Sequence, residues 1–375
     1  MSVKFRLGTT GLALGLAGGI VWAVFHRASP VSAPAARPAK AISVSPTETR
    51  PAQPETVSIV DWLFPNPDGS ATDGELLALA RKAVARSPER AIEWARSQSD
   101  SVLRARLLFA VIRAWGENDP AGAVDWVVIQ DASERWADME AALAGAVRQP
   151  QLAVAIVRQL LKDDPDDSNG CGTALILALG NAGQFQAALE FLNSGPPDSR
   201  ADWAAATFRR WGESQPQDAL PALDSLADGN LRDTAFRAVA DGWSASDPPA
   251  LATYAVSLPA GENRGYALSH AFDSWSLQDP SAMAAWLNTL PPGGDYDQGA
   301  AVMLAKTDAA NATTETALQW AESISDPALK IDALLPVLNQ WAQTDGAAAA
   351  EYVKNAAWLD DQQRSTLLQK IGAVR

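Results

Sequence analysis

Apolar and aromatic positions along the chain recur with a period of about 32 residues. The segment Trp115–Trp126 (WGENDPAGAVDW) returns as Trp275–Trp286 (WSLQDPSAMAAW) and, in a looser form, as Trp243–Tyr254 (WSASDPPALATY). With the first Trp of each segment as position 0, nine anchors follow at steps of 30 to 34 residues: Ala83, Trp115, Gly145, Leu179, Trp211, Trp243, Trp275, Ala309 and Trp341. A fixed period of this length indicates an array of similar structural units.

Four offsets carry the same residue types from unit to unit. Position +5 is proline in six units: Pro88, Pro120, Pro150, Pro216, Pro248 and Pro280. Position +4, directly before it, holds a capping residue in six: Ser87, Asp119, Asp247, Asp279, Thr313 and Asp345. Position +8 is alanine in seven: Ala91, Ala123, Ala153, Ala187, Ala219, Ala317 and Ala349. Position +11 is Trp or Tyr in six: Trp94, Trp126, Tyr254, Trp286, Trp320 and Tyr352.

These residue types suit the start of a helix. An Asp, Ser or Thr side chain accepts a backbone N–H that the first helical turn leaves free, and proline at the first helical position needs no donor. Positions +8 and +11 are three residues apart and therefore share one face of that helix. We expect the alanines to allow close approach of a neighbouring helix and the aromatic rings to fill the space beside them.

The residues before each anchor also have helical periodicity. In Arg104–Trp115, the apolar side chains of Leu107, Leu108, Val111 and Ile112 follow three- and four-residue spacings, as in an amphipathic helix. Three further segments are similar: Asn230–Trp243, Glu262–Trp275 and Pro327–Trp341. Each unit is therefore predicted to contain a helix A, a short turn and a helix B.

A single helix pair cannot bury its apolar face, so such units must stack on their neighbours. The sequence predicts an all-α fold for residues 71–375, a right-handed α-solenoid of about nine helix–turn–helix repeats of ~32 residues. Asp360–Arg375 is predicted to be the helix that caps its C-terminal end. Runs of alternating polarity between hairpin turns, which are typical of β-strands, are scarce.

The N-terminal region is predicted to be a transmembrane signal anchor. Residues 1–6 contain Lys4 and Arg6, and residues 7–25 form an uncharged run whose length as a helix, ~28 Å, is close to the thickness of a bilayer core. The positive-inside rule keeps residues 1–6 in the cytoplasm. The chain is then a single-pass protein of the bacterial inner membrane, with its C-terminal domain in the periplasm or outside the cell.

A cleaved signal peptide is the alternative for this region. Its cleavage site would lie near Val31–Ala33, although Pro34 disfavours cleavage there, and the chain would then be secreted. In an uncleaved anchor, Gly11, Gly15 and Gly19 share one helix face, which leaves a dimer of two paired transmembrane helices open.

Residues 26–70 separate the anchor from the repeats. They are rich in proline and alanine, a composition typical of a semi-extended linker. The short apolar segment Val57–Phe64 (VSIVDWLF) is expected to cap the first unit, and Pro65–Ser70 is expected to turn the chain.

The formal net charge of the chain is -14 at pH 7. Residues 1–55 hold six basic and two acidic side chains, so the repeats carry the acidic excess. Such a surface repels nucleic acid and anionic lipid head groups, and we expect no nucleic-acid partner. It suits solubility, or a basic protein or peptide partner.

Few residues suggest chemistry. Cys171, the one cysteine, starts an apolar segment and is expected to be a buried, inert thiol. His270 is expected to pack within its helix or reach the surface, and His26 borders the membrane segment. Lys162–Gly170 (KDDPDDSNG) holds four Asp but lacks the spacing of a calcium-binding loop, which favours an acidic, solvated loop. Nucleotide, hydrolase and zinc motifs are absent, so we predict no catalytic, cofactor-binding or metal-binding residue.

The W-x3-D-P-x2-A-x2-W unit, with connectors such as Ser257–Trp275 (SLPAGENRGYALSHAFDSW), resembles the helical repeats of large exported bacterial proteins, most of them uncharacterised. It is also similar in length and architecture to tetratricopeptide repeats. The resemblance covers Thr72–Arg375 and implies an α-solenoid. The order of Trp, Pro, Ala and aromatic residue departs from the tetratricopeptide consensus, so no peptide-binding residue is carried over.

The function expected from this organisation is a non-enzymatic, membrane-anchored scaffold that presents an acidic solenoid outside the cytoplasm and binds a protein or peptide. One alternative is a carboxylate-based lyase or hydrolase on a helical scaffold. That alternative requires a deep pocket with convergent side chains and perturbed pKa values. A passive spacer of the cell envelope is another alternative.

Overall fold

The computed structural model describes residue 67 and residues 69–372, with gaps at 168–169 and 308–313. The described part is all-α, as the sequence predicts, and it contains no strand. Within these ranges, every helix is too short or too polar to cross a membrane.

The predictions for the N-terminal region lie outside the described residues. They are the anchor at 7–25, the glycine face of Gly11, Gly15 and Gly19, and residues 26–66 of the linker with its apolar cap segment.

Eighteen α-helices are described, and the first nine are α1 (Asp73–Val84), α2 (Pro88–Arg96), α3 (Ser101–Asn118), α4 (Pro120–Val128), α5 (Ala132–Ala146), α6 (Pro150–Asp163), α7 (Cys171–Asn181), α8 (Phe185–Asn193) and α9 (Arg200–Ser214). The others are α10 (Pro216–Ala222), α11 (Gly229–Ser246), α12 (Pro248–Ser257), α13 (Glu262–Gln278), α14 (Pro280–Leu287), α15 (Gly294–Thr307), α16 (Thr314–Ser323), α17 (Pro327–Asn355) and α18 (Asp361–Gly372). Short 3-10 helices lie at Pro197–Ser199 and Leu223–Ser225.

The helices alternate between two roles that match the predicted helices A and B. The A helices are the odd-numbered ones from α1 to α15 and the first part of α17, which bends at Asp345. The B helices are the even-numbered ones from α2 to α16 and the second part of α17. Each A helix contacts the next A helix, and each B helix from α2 to α16 contacts the A helices before and after it. Every unit therefore packs on its neighbours in the chain.

A single extended residue joins helix A to helix B in the most regular units. At Asp119 (φ -139°, ψ 82°) the backbone N–H donates to the carbonyl oxygen of Trp115 at 2.8 Å, and the carboxylate accepts the N–H of Gly122 at 3.0 Å. Pro120 then begins α4 and needs no donor. Side-chain caps at the predicted position recur at four further junctions: Ser87, Asp247, Asp279 and Asp345. The predicted caps are confirmed there, and Thr313 lies outside the described residues.

Aromatic rings at positions 0 and +11 contact each other across this junction. Four units have such a pair, with ring centroids 5.3 to 6.0 Å apart: Trp115–Trp126, Trp243–Tyr254, Trp275–Trp286 and Trp341–Tyr352. Each pair packs helix A against helix B of the same unit. Aromatic rings at this distance stabilise the fold beyond the contribution of their buried area. The sequence placed both rings in the repeat but did not predict their contact.

One unit departs from the regular offsets. α7 is followed by Gly183 in the left-handed region (φ 70°), and the N–H of Gln184 donates to the carbonyl oxygen of Leu179 at 2.8 Å. This closure adds a residue, so α8 starts one position late and Ala188 is buried in place of Ala187. The prediction for Ala187 is wrong for this reason. The other six alanines at +8 are buried: Ala91, Ala123, Ala153, Ala219, Ala317 and Ala349.

Glycines let A helices approach closely at two equivalent points. Gly145 of α5 packs on α3, where an added Cβ would overlap the carbonyl oxygen of Arg113. Gly242 of α11 packs on α9 in the same way, against the carbonyl oxygen of Arg209. Arg113 and Arg209 both lie two residues before a Trp anchor, and Gly242 lies one residue before its own. By this equivalence the third anchor is Ala146, one residue later than the sequence predicts, and Pro150 and Ala153 then lie at positions +4 and +7 of that unit.

A buried carboxylate joins three units near these crossings. Glu117, two residues after Trp115, has a side chain that is only 4% exposed. Arg81 of α1 donates to both of its oxygens at 2.6 and 2.7 Å, and Arg148, which follows α5, donates at 3.1 Å. Burial alone would raise the pKa of Glu117, but the hydrogen bonds and charges of Arg81 and Arg148 lower it below the ordinary value.

Lys162, Asp163, Pro165 and Asp166 of the acidic segment Lys162–Gly170 are exposed, as the sequence indicated, but Asp167 is not. Asp167 within it is buried and accepts the backbone N–H groups of Gly172 at 2.8 Å and Thr173 at 2.9 Å. Its carboxylate thus caps the start of α7, where unpaired N–H groups favour a negative charge.

The predicted C-terminal helix within Asp360–Arg375 is present as α18 (Asp361–Gly372). Asp360 caps it by accepting the N–H of Gln363 at 2.7 Å. Leu367 and Ile371 of this helix are buried against α17 and belong to a second core cluster, which begins at Leu304 in α15. The first cluster runs from α1 to α15, so the core is distributed along the array.

Replacing Gly242 with alanine is expected to lower the free energy of unfolding by about 1–3 kcal/mol, because the added methyl group forces α9 and α11 apart. Gly265→Ala in α13 is the matched control, since an added Cβ there has no atom within 4 Å and alanine favours a helix. Urea unfolding, followed by circular dichroism, measures the free energy of unfolding of both variants. Equal stability of the two variants would contradict the close approach.

Replacing Glu117 with glutamine is expected to lower the free energy of unfolding by about 2 kcal/mol, because the charge-assisted hydrogen bonds from Arg81 and Arg148 are lost. Since the pKa of Glu117 is lowered on folding, this contribution is present at neutral pH and disappears as the pH falls through that pKa. Glu213→Gln is the control, because Glu213 occupies the same offset after Trp211 but is 46% exposed and pairs with Arg210. A control as destabilised as Glu117→Gln would refute the role of the buried carboxylate.

Candidate functional site

One stripe of the A helices α1 to α13, and of the first part of α17, stays accessible to solvent. It comprises positions -2, -6 and -9 relative to the anchor, whose spacings of four and three residues place them on one side of a helix. In α3 these positions are Arg113, Phe109 and Arg106, and none of the three is buried. We call the surface formed by this stripe in successive units the A-helix face.

A large cavity lies on this face between α1, α3 and α5. Its volume is about 690 Å³. Six apolar residues line it: Leu77, Ala105, Leu108, Phe109, Ala110 and Ala137. Five charged residues complete the lining: Asp73, Arg106, Arg113, Glu134 and Asp138. A mainly apolar hollow of this size with a few polar groups is the usual form of a binding site.

A second cavity continues from the first. Its volume is about 250 Å³, and it lies between α3, α5 and α7. Phe109 and Arg113 line both cavities, and Phe109 is 37% exposed between them. Ala144, Leu177 and other residues line the far side. The two cavities lie side by side and together span four A helices, and we call them the A-face groove.

Most charges in the groove already have partners. Arg106 donates to Asp73 at 2.8 Å and to the carbonyl oxygen of Ala71 at 2.7 Å. Glu134 lies 3.4 Å from a terminal nitrogen of Arg96. These pairs leave two acids of the groove without an ion-pair partner among the described residues, Asp138 in the larger cavity and Glu140 in the smaller one.

Asp138 is the most perturbed acid of the described chain. The residue is 5% exposed, and its Oδ2 atom is buried without a hydrogen-bond partner. Burial, with the charge of Glu134, raises the pKa of Asp138 to about 6, and Arg96 opposes the shift. A buried acid with a raised pKa in a cleft is a typical mark of a functional site. Sequence reasoning missed it, because an isolated Asp in an acidic chain carries no local signal.

A second polar cluster lies on the same face, across α9, α11 and α13. Asp241 accepts the hydroxyl of Tyr266 at 2.8 Å and lies 3.3 Å from His270 Nδ1 and 3.8 Å from Arg209. The rings of Tyr266 and His270 stack with centroids 4.2 Å apart. Burial, then the hydrogen bond and charge of Asp241, raise the pKa of Tyr266 to about 12, so the phenol keeps its proton. This cluster links three A helices and is satisfied internally.

His270 and Cys171 lie in different surroundings. The His270 side chain is 41% exposed and reaches the surface, where Asp241 and Tyr266 contact it. Cys171 is buried, and burial together with the charge of Asp167 raises the pKa of its thiol to about 12. The predicted burial of Cys171 is therefore confirmed, and this residue lies outside the groove.

In the described ranges, His, Cys, Asp and Glu side chains form no group of three or more that could hold a metal ion. Comparison of the chain with protein-family models and with curated proteins finds no match.

Asp138→Asn is expected to stabilise the protein at neutral pH by about 1–3 kcal/mol, since it removes a carboxylate whose charged form burial penalises. The ordinary pKa of 3.8 rises to about 6 on folding. The stability contributed by the wild-type acid is therefore complete below the ordinary pKa and is lost as the pH rises through 6.

Urea unfolding across this pH range measures the difference between Asp138→Asn and the wild type. The difference should be small at the acidic end and grow towards neutral pH. Asp125→Asn, an exposed carboxylate on α4, should show no such trend. A pH-independent difference for Asp138→Asn would contradict the raised pKa.

Proposed function

We propose that the chain is a protein-interaction module. Residues 71–375 form a right-handed α-solenoid of about nine helix–turn–helix repeats, and its A-helix face binds a protein or peptide. The contacts between each unit and its neighbours in the chain support this architecture. Stacked repeats of this kind create extended surfaces that bind other chains.

The A-face groove is the observation that carries the proposal. It is apolar over most of its lining, crosses several A helices and leaves Phe109 partly exposed at its centre. Apolar surface that stays open on a soluble domain marks a place where another molecule binds. An elongated groove suits a peptide segment, which contacts successive units in turn.

The proposed setting is the bacterial inner membrane. The uncharged segment 7–25 anchors the chain, residues 26–70 act as a linker, and the repeats lie outside the cytoplasm. Gly11, Gly15 and Gly19 would allow two anchors to pair. The net charge of -14 favours a partner with basic segments over nucleic acid. Secretion after signal cleavage would leave the binding role of the repeats unchanged.

A carboxylate-based lyase or hydrolase is the second candidate, and Asp138 is the observation that favours it. An acid with a pKa raised to about 6 is protonated often enough near neutral pH to act as a general acid. Such an enzyme would also need a second group, and Glu134 is the acid whose charge acts on Asp138. Its partner would be recovered cleaved or modified, whereas a binding module returns its partner intact.

Crosslinking in cells, followed by mass spectrometry, tests the proposed function. The tagged full-length chain should capture one or a few partners that a control lacking Thr72–Arg375 does not. Ala105→Trp, which fills the groove from an exposed position in α3, should lose them, while Ala121→Trp on α4 should keep them. Capture that is unaffected by the loss of Thr72–Arg375 would refute the proposal and leave a passive spacer.

A further inference from the structure

We infer that the larger cavity of the A-face groove binds a basic side chain within an apolar peptide segment, with Asp138 as the counter-charge. This inference rests on the proposed function, because it assigns the chemistry of the partner at the same groove. Three features of the groove support it: the shape of the cavity, the missing partner of Asp138, and the arrangement of the other charges.

The shape of the groove favours a peptide over a compact molecule. The larger cavity, of about 690 Å³, lies within the range of sites that hold whole ligands. Its continuation past Phe109 into the second cavity gives it a long axis across α1, α3, α5 and α7. A few consecutive residues of an extended chain would lie along that axis, with apolar side chains against Leu77, Leu108 and Phe109.

Asp138 supplies the chemical preference of the cavity. Buried polar groups nearly always have hydrogen-bond partners, and one without a partner needs an explanation. The buried Oδ2 atom of Asp138 has none, although a buried carboxylate is destabilising until it is paired. The terminal torsion of a carboxyl group is broad, so a modest rotation would turn this oxygen towards an occupant. An ammonium or guanidinium group would then supply both the hydrogen bond and the opposite charge.

The other charged groups of the cavity do not supply a cation that pairs with Asp138. Arg106 is held by Asp73 and the carbonyl oxygen of Ala71. Arg96, the cation that acts on Asp138, also lies beside Glu134. Arg113 stands where the two cavities meet, and its Nε atom is buried without a hydrogen-bond partner, 4.0 Å from Glu117. The basic residue therefore belongs at the Asp138 end, and a peptide carbonyl group suits the Arg113 end.

Asp241 shows that the preference does not follow from acidity alone. It lies on the same face of the A helices, yet it accepts a hydrogen bond from Tyr266 and faces His270 and Arg209. An acid so surrounded has little to gain from a further cation. Of the two carboxylates, Asp138 is the one to which a partner would supply a hydrogen-bond donor and an opposite charge.

Binding of labelled peptides tests the inference directly. Three short fluorescein peptides share a sequence of leucine and valine and differ at one central residue, which is lysine, norleucine or glutamate. Each is titrated with the full-length chain in detergent micelles, and fluorescence anisotropy reports binding. The lysine peptide is expected to bind about tenfold or more tightly than the norleucine peptide, which is ~1.4 kcal/mol. The glutamate peptide is expected to bind most weakly.

The variants isolate the role of the carboxylate. Asp138→Asn should remove the preference for lysine over norleucine. Asp125→Asn, the exposed control on α4, should keep the preference. Ala105→Trp should weaken all three peptides. Asp138→Asn is expected to be more stable than the wild type, so a loss of preference would not reflect unfolding.

Each other outcome overturns the inference in a distinct way. Equal binding of the lysine and norleucine peptides, both weakened by Ala105→Trp, would remove the role of Asp138 while leaving the proposed function intact. An absence of binding by all three peptides would reject a peptide of this class, and the crosslinking experiment would then decide the proposed function separately. Self-association in sedimentation velocity that Asp138→Asn abolishes would make a second copy of the chain the occupant.

Discussion

The junction between helix A and helix B is the constraint on which the rest of the structure depends. Asp119 is the one extended residue of this junction. Its backbone N–H donates to the Trp115 carbonyl oxygen, and its carboxylate accepts the N–H of Gly122. A single residue thus satisfies one free carbonyl group at the end of helix A and one free N–H group at the start of helix B, and Pro120 begins the next helix without a missing donor. The direction of helix B is fixed by this geometry. The aromatic contact between Trp115 and Trp126 is possible only because the turn is so short.

A fixed junction also determines what each unit presents to its neighbours. The A helices meet backbone to backbone at Gly145 and Gly242, and Glu117 gathers arginines from two neighbouring units. The B helices cover one side of the A helices, because each packs between two of them. The opposite side remains open, and the groove beside Phe109 lies there. The stacking of the units therefore leaves the A-helix face open as a surface for binding.

Local sequence was enough to predict the caps and the helix pairs, since Asp119 and Pro120 act on residues within one turn. It was not enough for features that join units about 30 residues apart. Gly145 was assigned to the anchor position because its partner, the Arg113 carbonyl oxygen, belongs to another unit. Ala187 was misplaced by one residue when Gly183 altered the turn. Asp138 carried no signal, because its significance comes from burial beneath a neighbouring helix.

The contrast between Asp138 and Asp241 separates the two ways in which this acidic chain uses a carboxylate. Asp241 receives donors from α9 and α13, so its charge holds A helices together. Asp138 lines the groove from α5, yet the stack provides its Oδ2 atom with no donor. Such a group lowers stability in the free protein. A partner that supplies the missing donor would recover that free energy on binding, which gives the groove a preference for cations that the overall charge alone would not produce.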